Sequence, residues 1–493
     1  MSPIKVNVKW SGQKFDNIEL DPQEPALTFK TQLFSLTGVQ PERQKIFVKG
    51  GMLKDDTDLA SLHLTDGHTF MMMGTAGELP KVPEKKVMFV EDMSEKQLQT
   101  AYSIPSGLQN LGNTCYLNAT LQCMRVIPEL RQSLAQFTGG INQGSPAANL
   151  TAALRDLYKE LDRSSEGYPP LVFLQLFFAL FPQFGERDRH NALRQHDAEE
   201  CWTQLFTAMR EQLGQTTSSS SSTPTPTLEK LTMGKMEVTI QCDDNPEEPP
   251  QTMTESFAKL SCHISKDTNF LPSGIAAALT EKIQKRSPSL DRDATYTRRC
   301  QITRLPAYLT VNFVRFFWKA SEQVNSKILR KVTFPTTFDA TSFCHPDLVA
   351  RMRPVREAIR EAEEKTALEK KLKKQTSGQS DAMQVDGADG QTGSTGTLPE
   401  PSPKFELDSA FKQDPGCNPS GQYDLCAVLT HIGRSSDEGH YVAWIRKDNS
   451  DEWYKYDDDR VSIVKEAEIM RLSGGGDWHT AYICLYRAKD LPA

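Results

Sequence analysis

The segment around Cys115 has the residue types and the spacing that nucleophilic catalysis requires. Leu117, Leu121 and Met124 follow it at helical spacing, which predicts a helix that begins near Thr114. In the first turn of a helix, free backbone N–H groups and the helix dipole favour the thiolate, which is the nucleophilic form of cysteine. The alternative is that Cys115 is one more buried cysteine without a chemical role.

A predicted hairpin near the carboxyl end could supply a base. If Trp444 lies opposite Trp453, then His440 lies opposite Asp457 on the same face, within cross-strand reach. A carboxylate in that position would hold the tautomer and the orientation of the imidazole. By the same alternation, Asp458 points to the other face. A solvated acidic turn beside a hydrogen-bonded histidine would explain each residue, but not their joint placement.

An amide side chain lies five residues before the candidate nucleophile. Asn110 could donate a hydrogen bond to the oxyanion that forms when the sulfur of Cys115 attacks a carbonyl. With His440 and Asp457, the set contains a nucleophile, a base, an orienting carboxylate and an oxyanion donor. The elements around these residues must therefore bring a helix start and a distant hairpin together.

Length and composition exclude several classes of protein. The 493 residues exceed a typical domain about threefold, so we expect two or more folded units. A mean hydropathy of −0.51 and the absence of an apolar run of about 20 residues predict a protein without a transmembrane segment. The start of the chain lacks a signal peptide, which predicts an intracellular protein with reduced cysteines. A net charge of −7 disfavours binding to nucleic acid.

The pattern of apolar residues in 1–76 predicts a small α+β domain. Alternating apolar residues from Ile4 to Trp10 predict a strand, and a helical pattern between Pro25 and Gly38 follows the first hairpin. The segments VQPERQKIFVKGGML and LTDGHTFMMMG resemble those of ubiquitin-like β-grasp domains. Where ubiquitin ends in two glycines, this chain continues as Gly74-Thr75-Ala76, so the resemblance implies a permanent docking module.

Residues 104–488 predict a large second domain, joined to the first by a charged, proline-containing linker at 77–103. Two segments, 215–227 and 375–402, are too polar to pack and are predicted to be surface insertions. The charged helix predicted before the second insertion, at 351–374, is assigned to the surface as well, either as a solvated face or as a partner-binding one.

Four separated boxes of this domain resemble those of ubiquitin-specific proteases, in that family's order. They are GLQNLGNTCYLN, RQHDAEECW, RLPAYLTVNFVRF, and GHYVAWI with WYKYDDDRVS. The resemblance implies an α+β fold with a β-grasp domain and a papain-like protease domain of thumb, palm and fingers. It also implies a cysteine-type deubiquitinase that hydrolyses the bond after the last glycine of ubiquitin without a cofactor. The rival hypothesis is a ubiquitin-binding scaffold without activity.

By motif position, the resemblance also assigns roles to individual residues. The catalytic residues are Cys115 as nucleophile, His440 as general base and acid, Asp457 as its orienting partner and Asn110 as oxyanion donor. Residues implied to contact the ubiquitin tail are Gln195, Asp197, Phe316 and Tyr441. Asp197 could instead be a helix-surface charge, and the two aromatic residues could belong to the core. His431 is predicted to be a loop or tail-contacting residue, and the loop 431–439 could gate the channel.

Partners and metal follow from the same resemblance. Ubiquitin and polyubiquitinated proteins are the implied substrates, and the regulatory particle of the proteasome is the implied partner of the ubiquitin-like domain. Phe47, Met71 and Met73 would form the docking patch, although they could lie partly in the domain core. In the fingers region Cys242 and Cys262 stand alone, so no zinc is expected and packing alone should hold that region. We also expect the free protein to be a monomer and to be located in the cytoplasm and in the nucleus.

Overall fold

The chain forms two compact units, Met1–Met93 and Ser94–Ala493. The computed structural model describes residues 3–48, 51–75, 104–142, 144–214, 226–319, 324–377, 406–435, 438–448, 450–476 and 478–491. The predicted linker at 77–103 and most of the two predicted insertions lie outside the described residues. The predicted domain limits of 1–76 and 104–488 stay predictions.

The amino-terminal unit is a five-stranded mixed sheet packed on one helix. Its elements are β1 (Ile4–Trp10), β2 (Gln13–Leu20), α1 (Ala26–Thr37), β3 (Lys45–Val48), β4 (Gly51–Met52) and β5 (Thr69–Met73). The strand order is β2-β1-β5-β3-β4, with β1 and β5 parallel. The predicted β-grasp arrangement of strand pair, helix and further strands is confirmed.

Helix α1 ends where the sequence predicts, because Gly38 adopts a left-handed φ of 69° and its N–H bonds to the carbonyl of Phe34. The helix turns Phe29 and Leu33 toward the sheet. Leu27 and Leu36, which belong to the same apolar pattern in the sequence, are exposed. The predicted helix is therefore correct, but only half of its apolar residues face the core.

The second unit combines a group of helices with two sheets. Its helices are α2 (Cys115–Arg125), α3 (Pro128–Gln136), α4 (Pro146–Arg163), α5 (Leu171–Leu180), α6 (Ala198–Leu213), α7 (Leu228–Thr232), α8 (Leu271–Leu279), α9 (Pro346–Ser377), α10 (Ser409–Lys412) and α11 (Glu466–Met470). None of the helices in the described ranges is both long and apolar enough to cross a membrane.

The strands of the second unit form a large sheet and a small one. They are β6 (Gly234–Cys242), β7 (Gln251–Phe257), β8 (Leu260–His263), β9 (Thr280–Ser287), β10 (Arg292–Arg304), β11 (Tyr308–Val314), β12 (Phe316–Lys319), β13 (Val324–Lys327), β14 (Thr337–Asp339), β15 (Gln422–Ser435), β16 (Glu438–Arg446), β17 (Glu452–Asp457), β18 (Arg460–Lys465) and β19 (Thr480–Ala488). The large sheet runs β18-β17-β16-β15-β19-β11-β8, and the small one β7-β6-β10-β9.

Two cores lie on opposite faces of the large sheet, because successive side chains of a strand alternate between faces. Along β16, Tyr441 and Ala443 pack among the helices that surround α2. Val442 and Trp444 pack on the other side, with α8, α9 and α11. The part of β16 from Tyr441 to Trp444 therefore lies between two packed layers.

Helix α9 corrects the prediction of a charged surface helix at 351–374. It begins at Pro346, and Leu348, Met352, Val355 and Ile359 form a buried stripe along its first half. These four residues recur at intervals of three or four, which is the period of one helix face. The many charges between them obscured that stripe in the sequence, so only the later part of the helix fits the prediction of an exposed face.

The small sheet, which corresponds to the predicted fingers, is held by more than apolar packing. The Glu248 carboxylate accepts hydrogen bonds from Ser287 and Ser289, each at 2.6 Å, and from the Tyr296 hydroxyl at 2.7 Å. These bonds lower the pKa of Glu248. Cys242 lies across from Tyr296 on the neighbouring strand. The prediction that packing alone holds this region is therefore wrong.

Candidate active site

The candidate nucleophile lies at the start of α2, as the sequence predicts. Cys115 is the first residue of the helix and is only 2% exposed. Thr114 precedes it, and its hydroxyl accepts the N–H of Leu111 at 2.9 Å, which fixes the turn before the helix. All residues from Cys115 to Met124 are buried. The thiol is therefore held at the end of a helix that crosses the domain interior.

His440 lies on β16 and reaches the sulfur-bearing helix from the sheet side. Its ring nitrogen Nε2 is 2.7 Å from Oδ1 of Asp457, and the ring also hydrogen-bonds the side chain of Cys115. The structure thus joins the three residues through the imidazole. Cys123, two turns further along α2, is buried, and burial raises its pKa well above the ordinary value of a thiol.

The predicted register of the hairpin is wrong by two residues. Trp444 pairs with Lys455, and Trp453 pairs with Arg446. Asp457 is therefore a diagonal neighbour of His440 and does not lie directly opposite it. The two side chains still meet because a slip of two residues keeps every side chain on its original face.

The electrostatics of the pair favour an imidazolium and a carboxylate. The hydrogen bond that the ring donates to Asp457 contributes most to raising the pKa of His440 to about 10, the hydrogen bond with Cys115 contributes second, and burial opposes both. The bond to His440 holds the pKa of Asp457 far below its usual range, and Lys455 adds to this effect. The Lys455 ammonium lies 2.9 Å from Oδ2 of Asp457. Both oxygens of this carboxylate are thus occupied.

Asp458 is a site residue that the sequence analysis misplaced. Its φ of 55° is left-handed, so the alternation of β17 stops there and the side chain turns back toward α2. Its carboxylate accepts hydrogen bonds from Asn110 at 2.9 Å and from Asn118 at 2.8 Å. Its carbonyl accepts the N–H of Leu108 at 2.9 Å. Burial raises the pKa of Asp458. This residue ties the hairpin to the cysteine segment.

The amide of Asn110 is held in one orientation. Its oxygen accepts the backbone N–H groups of Gly112 at 3.0 Å and Thr114 at 3.2 Å, and one N–H of its nitrogen bonds Asp458. An amide nitrogen carries two N–H groups, and within the described ranges only one of them is hydrogen-bonded, so Asn110 retains a second donor for a substrate oxygen. The geometry is compatible with the predicted role of an oxyanion donor.

Three of the four predicted tail-binding residues gather around Tyr482, which the sequence analysis missed. Both oxygens of Asp197 accept the Tyr482 hydroxyl, at 2.7 and 2.8 Å, and the carboxylate also caps α6. The ring of Phe316 lies 5.1 Å from that of Tyr482. Tyr441 lies on the same side, with its ring 6.2 Å from that of Tyr482. No local sequence signal pairs Tyr482 with a residue 285 positions away.

Gln195, the fourth predicted tail-binding residue, lies two positions before Asp197 and is half-buried. The buried nitrogen of its side-chain amide has no hydrogen-bond partner among the residues that the structure describes. A buried donor without a partner costs free energy. A hydrogen bond from this nitrogen to a carbonyl of a bound peptide would therefore be favourable.

His431 corrects the prediction of a loop at 431–439. It lies in β15, fully buried between the rings of Phe316 and Tyr441, whose centroids are 5.3 and 4.6 Å away. Burial, aided by the charge of Lys327, lowers the pKa of His431 to about 3. Strands β15 and β16 occupy the predicted loop except at 436–437, which lie outside the described residues. The alternation of polar residues and glycines concealed these strand ends.

Within the described ranges, no group of three or more His, Cys, Asp or Glu side chains could hold a metal ion. Cys262 is buried beside Leu271, and Cys242 belongs to a separate cluster with Ala294 and Tyr296. The two cysteines to which the sequence analysis drew attention therefore occupy different cores.

Comparisons with known proteins agree with this geometry. A family model described as "Ubiquitin carboxyl-terminal hydrolase" matches residues 106–486, and one described as "Ubiquitin family" matches residues 4–77. The chain belongs to the ubiquitin carboxyl-terminal hydrolase family. As a member of it, the protein is a thiol-dependent hydrolase that removes ubiquitin, which confirms the predicted enzyme class and overturns the scaffold hypothesis.

Relatives of this hydrolase match it along nearly their whole length. Ubiquitin carboxyl-terminal hydrolase 6 of Arabidopsis thaliana is 42% identical and covers 98% of each chain. The hydrolase of the same name from Schizosaccharomyces pombe is also 42% identical, over 99% of each chain. Ubiquitin carboxyl-terminal hydrolase 14 of Caenorhabditis elegans is 35% identical over 99% of this chain and 94% of its own.

A solved structure supports the fold of this hydrolase. It is titled "Structure of the SAGA Ubp8/Sgf11/Sus1/Sgf73 DUB module bound to ubiquitin aldehyde" and is 18% identical with a TM-score of 0.50. The match covers 78% of this chain and 70% of the other. The predicted α+β fold class, with a ubiquitin-like domain and a protease domain, is confirmed.

Proposed function

We propose that Cys115, His440, Asp457 and Asn110 form the catalytic centre of this deubiquitinase. The observation that carries the proposal is the imidazole of His440, which hydrogen-bonds both Cys115 and Asp457. A raised pKa keeps this imidazole protonated at neutral pH, and an imidazolium stabilises a neighbouring thiolate. The start of α2 adds the positive end of a helix dipole at the sulfur.

The arrangement supports a two-step hydrolysis. The sulfur of Cys115 attacks the carbonyl carbon of the last glycine of ubiquitin, and the oxyanion that forms accepts the free N–H of Asn110. His440 gives its proton to the departing amine as the C–N bond breaks and a thioester remains. His440 then takes a proton from water, which attacks the thioester, releases the ubiquitin carboxylate and restores the sulfur.

The proposed tail channel runs past Asp197, Phe316 and Tyr441, with Gln195 beside it. An arginine of a bound tail could replace Tyr482 at the carboxylate of Asp197, because guanidinium and carboxylate form paired hydrogen bonds. The side-chain nitrogen of Gln195, which has no hydrogen-bond partner in the described part of the chain, could donate to a backbone carbonyl of the same tail. Phe316 and Tyr441 would flank it as apolar walls.

The ubiquitin-like domain is proposed to dock the enzyme on the regulatory particle of the proteasome. Phe47, Met71 and Met73 are 43%, 57% and 56% exposed, and Phe47 pairs directly with Met71 across β3 and β5. Met52, on β4, extends this patch at 52% exposure. Their exposure argues against a place in the domain core, and methionine side chains suit an adaptable contact surface. The monomeric state and the cytoplasmic and nuclear location belong to the same proposal.

Hydrolysis of ubiquitin-amidomethylcoumarin tests the proposed centre. Cys115→Ala should abolish the release of the fluorophore while binding of free ubiquitin survives, since the substitution removes only the nucleophile. Cys417→Ala is the matched control, because this half-buried cysteine lies outside the centre, and it should retain activity. Residual cleavage by Cys115→Ala, or its loss in Cys417→Ala, would refute the assignment.

A further inference from the structure

Helix α5 presents an apolar surface to the outside of the second unit. Its ten residues, LVFLQLFFAL, include no charged side chain, and only Phe173, Leu174 and Phe177 are buried. Leu171 and Val172 are each 55% exposed. The exposed positions of α5 also include Gln175 and Ala179, so its outer face carries one polar side chain and no charge, whereas the outer face of a surface helix normally carries several charged or polar residues. The outer face of α5 therefore has the composition of a binding surface.

This face begins beside the catalytic centre. Tyr168, three residues before α5, donates its N–H to the carbonyl of Gly107 at 3.0 Å and accepts the N–H of Gln109 at 2.9 Å. Gln109 precedes the proposed oxyanion donor. At most about 10 Å of chain separates Tyr168 from Leu171, since one residue spans about 3.3 to 3.6 Å.

The segment before α5 also contacts the hairpin of β16 and β17, which carries His440. Gly167 packs so closely on Asp459 that a Cβ at this glycine would overlap the aspartate side chain. The Gln109 side chain donates to the carbonyl of Gly167 at 3.0 Å. The segment that leads into α5 thus contacts the turn that follows Asp457.

The opposite end of the cysteine segment faces the proposed tail channel. Asn113 donates from its side chain to the carbonyl of Leu193 at 2.8 Å, two residues before Gln195. The segment 109–114 therefore contacts the neighbourhood of the proposed tail-binding residues at one end, and Gly167 and Tyr168, which lead into α5, at the other. A scissile carbonyl at Cys115 whose ubiquitin tail lies on the first side has its leaving amine on the second.

We propose that the outer face of α5 binds the protein from which ubiquitin is removed, and that this protein is the second ubiquitin of a chain. The proposal rests on the proposed catalytic centre. A helix without charges needs a neutral, apolar partner surface, whereas an extended polar peptide would find no ion pairs on it. The ubiquitin-like domain of this chain demonstrates how a β-grasp sheet offers such a surface, with Phe47, Met52, Met71 and Met73 exposed.

The test compares two substrates that differ only in the leaving group. Diubiquitin carries a second ubiquitin, and ubiquitin-amidomethylcoumarin carries a small fluorophore in its place. In the full-length double variant Leu171→Ser/Val172→Ser, kcat/KM for every diubiquitin linkage that the unsubstituted enzyme cleaves should fall about tenfold, or about 1.4 kcal/mol. The loss should appear mainly in KM. Hydrolysis of the fluorogenic substrate should stay within about twofold, which also reports that the variant folds and that its catalytic centre works.

Leu368→Ser is the matched control, because Leu368 is 60% exposed on α9, and it should leave both activities unchanged. Equal losses on the two substrates, or no loss on either, would overturn the proposal. Weaker proteasome binding or a change in oligomeric state with unaltered diubiquitin cleavage would overturn it too, since the face would then serve another partner. Failure of the unsubstituted enzyme to cleave any diubiquitin would also contradict it. A wrong assignment of the catalytic centre gives a different result from a wrong assignment of the α5 face. In that case the Cys115→Ala variant would still hydrolyse ubiquitin-amidomethylcoumarin.

Discussion

The pKa of His440 determines the protonation state of the proposed catalytic pair, Cys115 and His440, before substrate binds. Asp457 is the first cause of its rise to about 10, and Cys115 is the second. Because His440 is protonated at neutral pH, it can donate a proton to the leaving amine once the carbonyl has been attacked. Above this pKa the imidazole is neutral, so the proton is absent and the rate should fall.

Asp457→Asn should move that alkaline limit downward. An asparagine removes the carboxylate that contributes most to the raised pKa, so the pKa of His440 falls from about 10 toward the ordinary value of about 6.5. Turnover should also fall, since an amide can hold the wrong tautomer of the ring. The pH dependence of kcat/KM on ubiquitin-amidomethylcoumarin measures both effects. An alkaline limb at the same pH as in the unsubstituted enzyme would contradict this account of His440.

Asp458→Asn should produce a different defect. The carboxylate of Asp458 orients Asn110 and Asn118, and an amide in its place offers only one oxygen to two donors. Asn110, the proposed oxyanion donor, would lose its fixed position, so kcat should fall about tenfold, less than the roughly 10² to 10³ that loss of a donor costs. KM should stay unchanged, and the alkaline limb should move down only slightly, because the charge of Asp458 is the last and smallest of the causes that raise the pKa of His440. A shift of the limb as large as that of Asp457→Asn would mean that Asp458 acts on His440 instead.

Several of the proposed residue assignments follow from the sequence because side-chain chemistry and motif position both point to them. Cys115, His440 and Asp457 are such residues, and the structure brings them together through the imidazole. Tyr482 and Lys455 could not be identified in this way. Their roles depend on a partner brought close by folding, and a tyrosine or a lysine in a strand has many ordinary explanations.

At the scale of elements, local patterns predicted helix α2 better than they predicted strand pairing. The first turn of α2 depends on neighbouring residues, whereas the register of β16 and β17 depends on the connection between the two strands. Alternation predicts which residues share a face but does not distinguish registers that differ by two. At Asp458 the alternation of side chains along β17 ends, because the left-handed backbone of this residue redirects its side chain. The face predicted for Asp458 is therefore wrong.

Helix α9 allows a test of the buried stripe that the sequence analysis overlooked. Met352 is fully buried, so Met352→Ala should lower the free energy of unfolding by about 2 to 5 kcal/mol. Leu368→Ala, further along the same helix, should change it by no more than about 0.5 kcal/mol because Leu368 is 60% exposed. Denaturant unfolding of the full chain measures both. Similar values for the two variants would show that the first half of α9 is not part of the core.

At the scale of the whole molecule, the two units separate docking from chemistry. Deletion of residues 1–76 should weaken association with the proteasome, since it removes the exposed patch that includes Phe47 and Met71. Basal hydrolysis of ubiquitin-amidomethylcoumarin should remain nearly unchanged, because Cys115 and His440 lie in the second unit. A pull-down with purified proteasomes compares the truncated and the full chain. Equal binding of the two would disprove the docking role.

The central claim, that Cys115 is the nucleophile, is tested most directly by the site of covalent attachment. Ubiquitin whose carboxyl terminus is replaced by propargylamide reacts with a cysteine that is activated beside a bound ubiquitin tail. After reaction with the full chain, proteolysis and mass spectrometry identify the modified peptide. The account predicts one ubiquitin per chain, attached at Cys115, and no reaction in Cys115→Ala. Attachment at any other of the ten cysteines, or labelling of the Cys115→Ala variant, would contradict it.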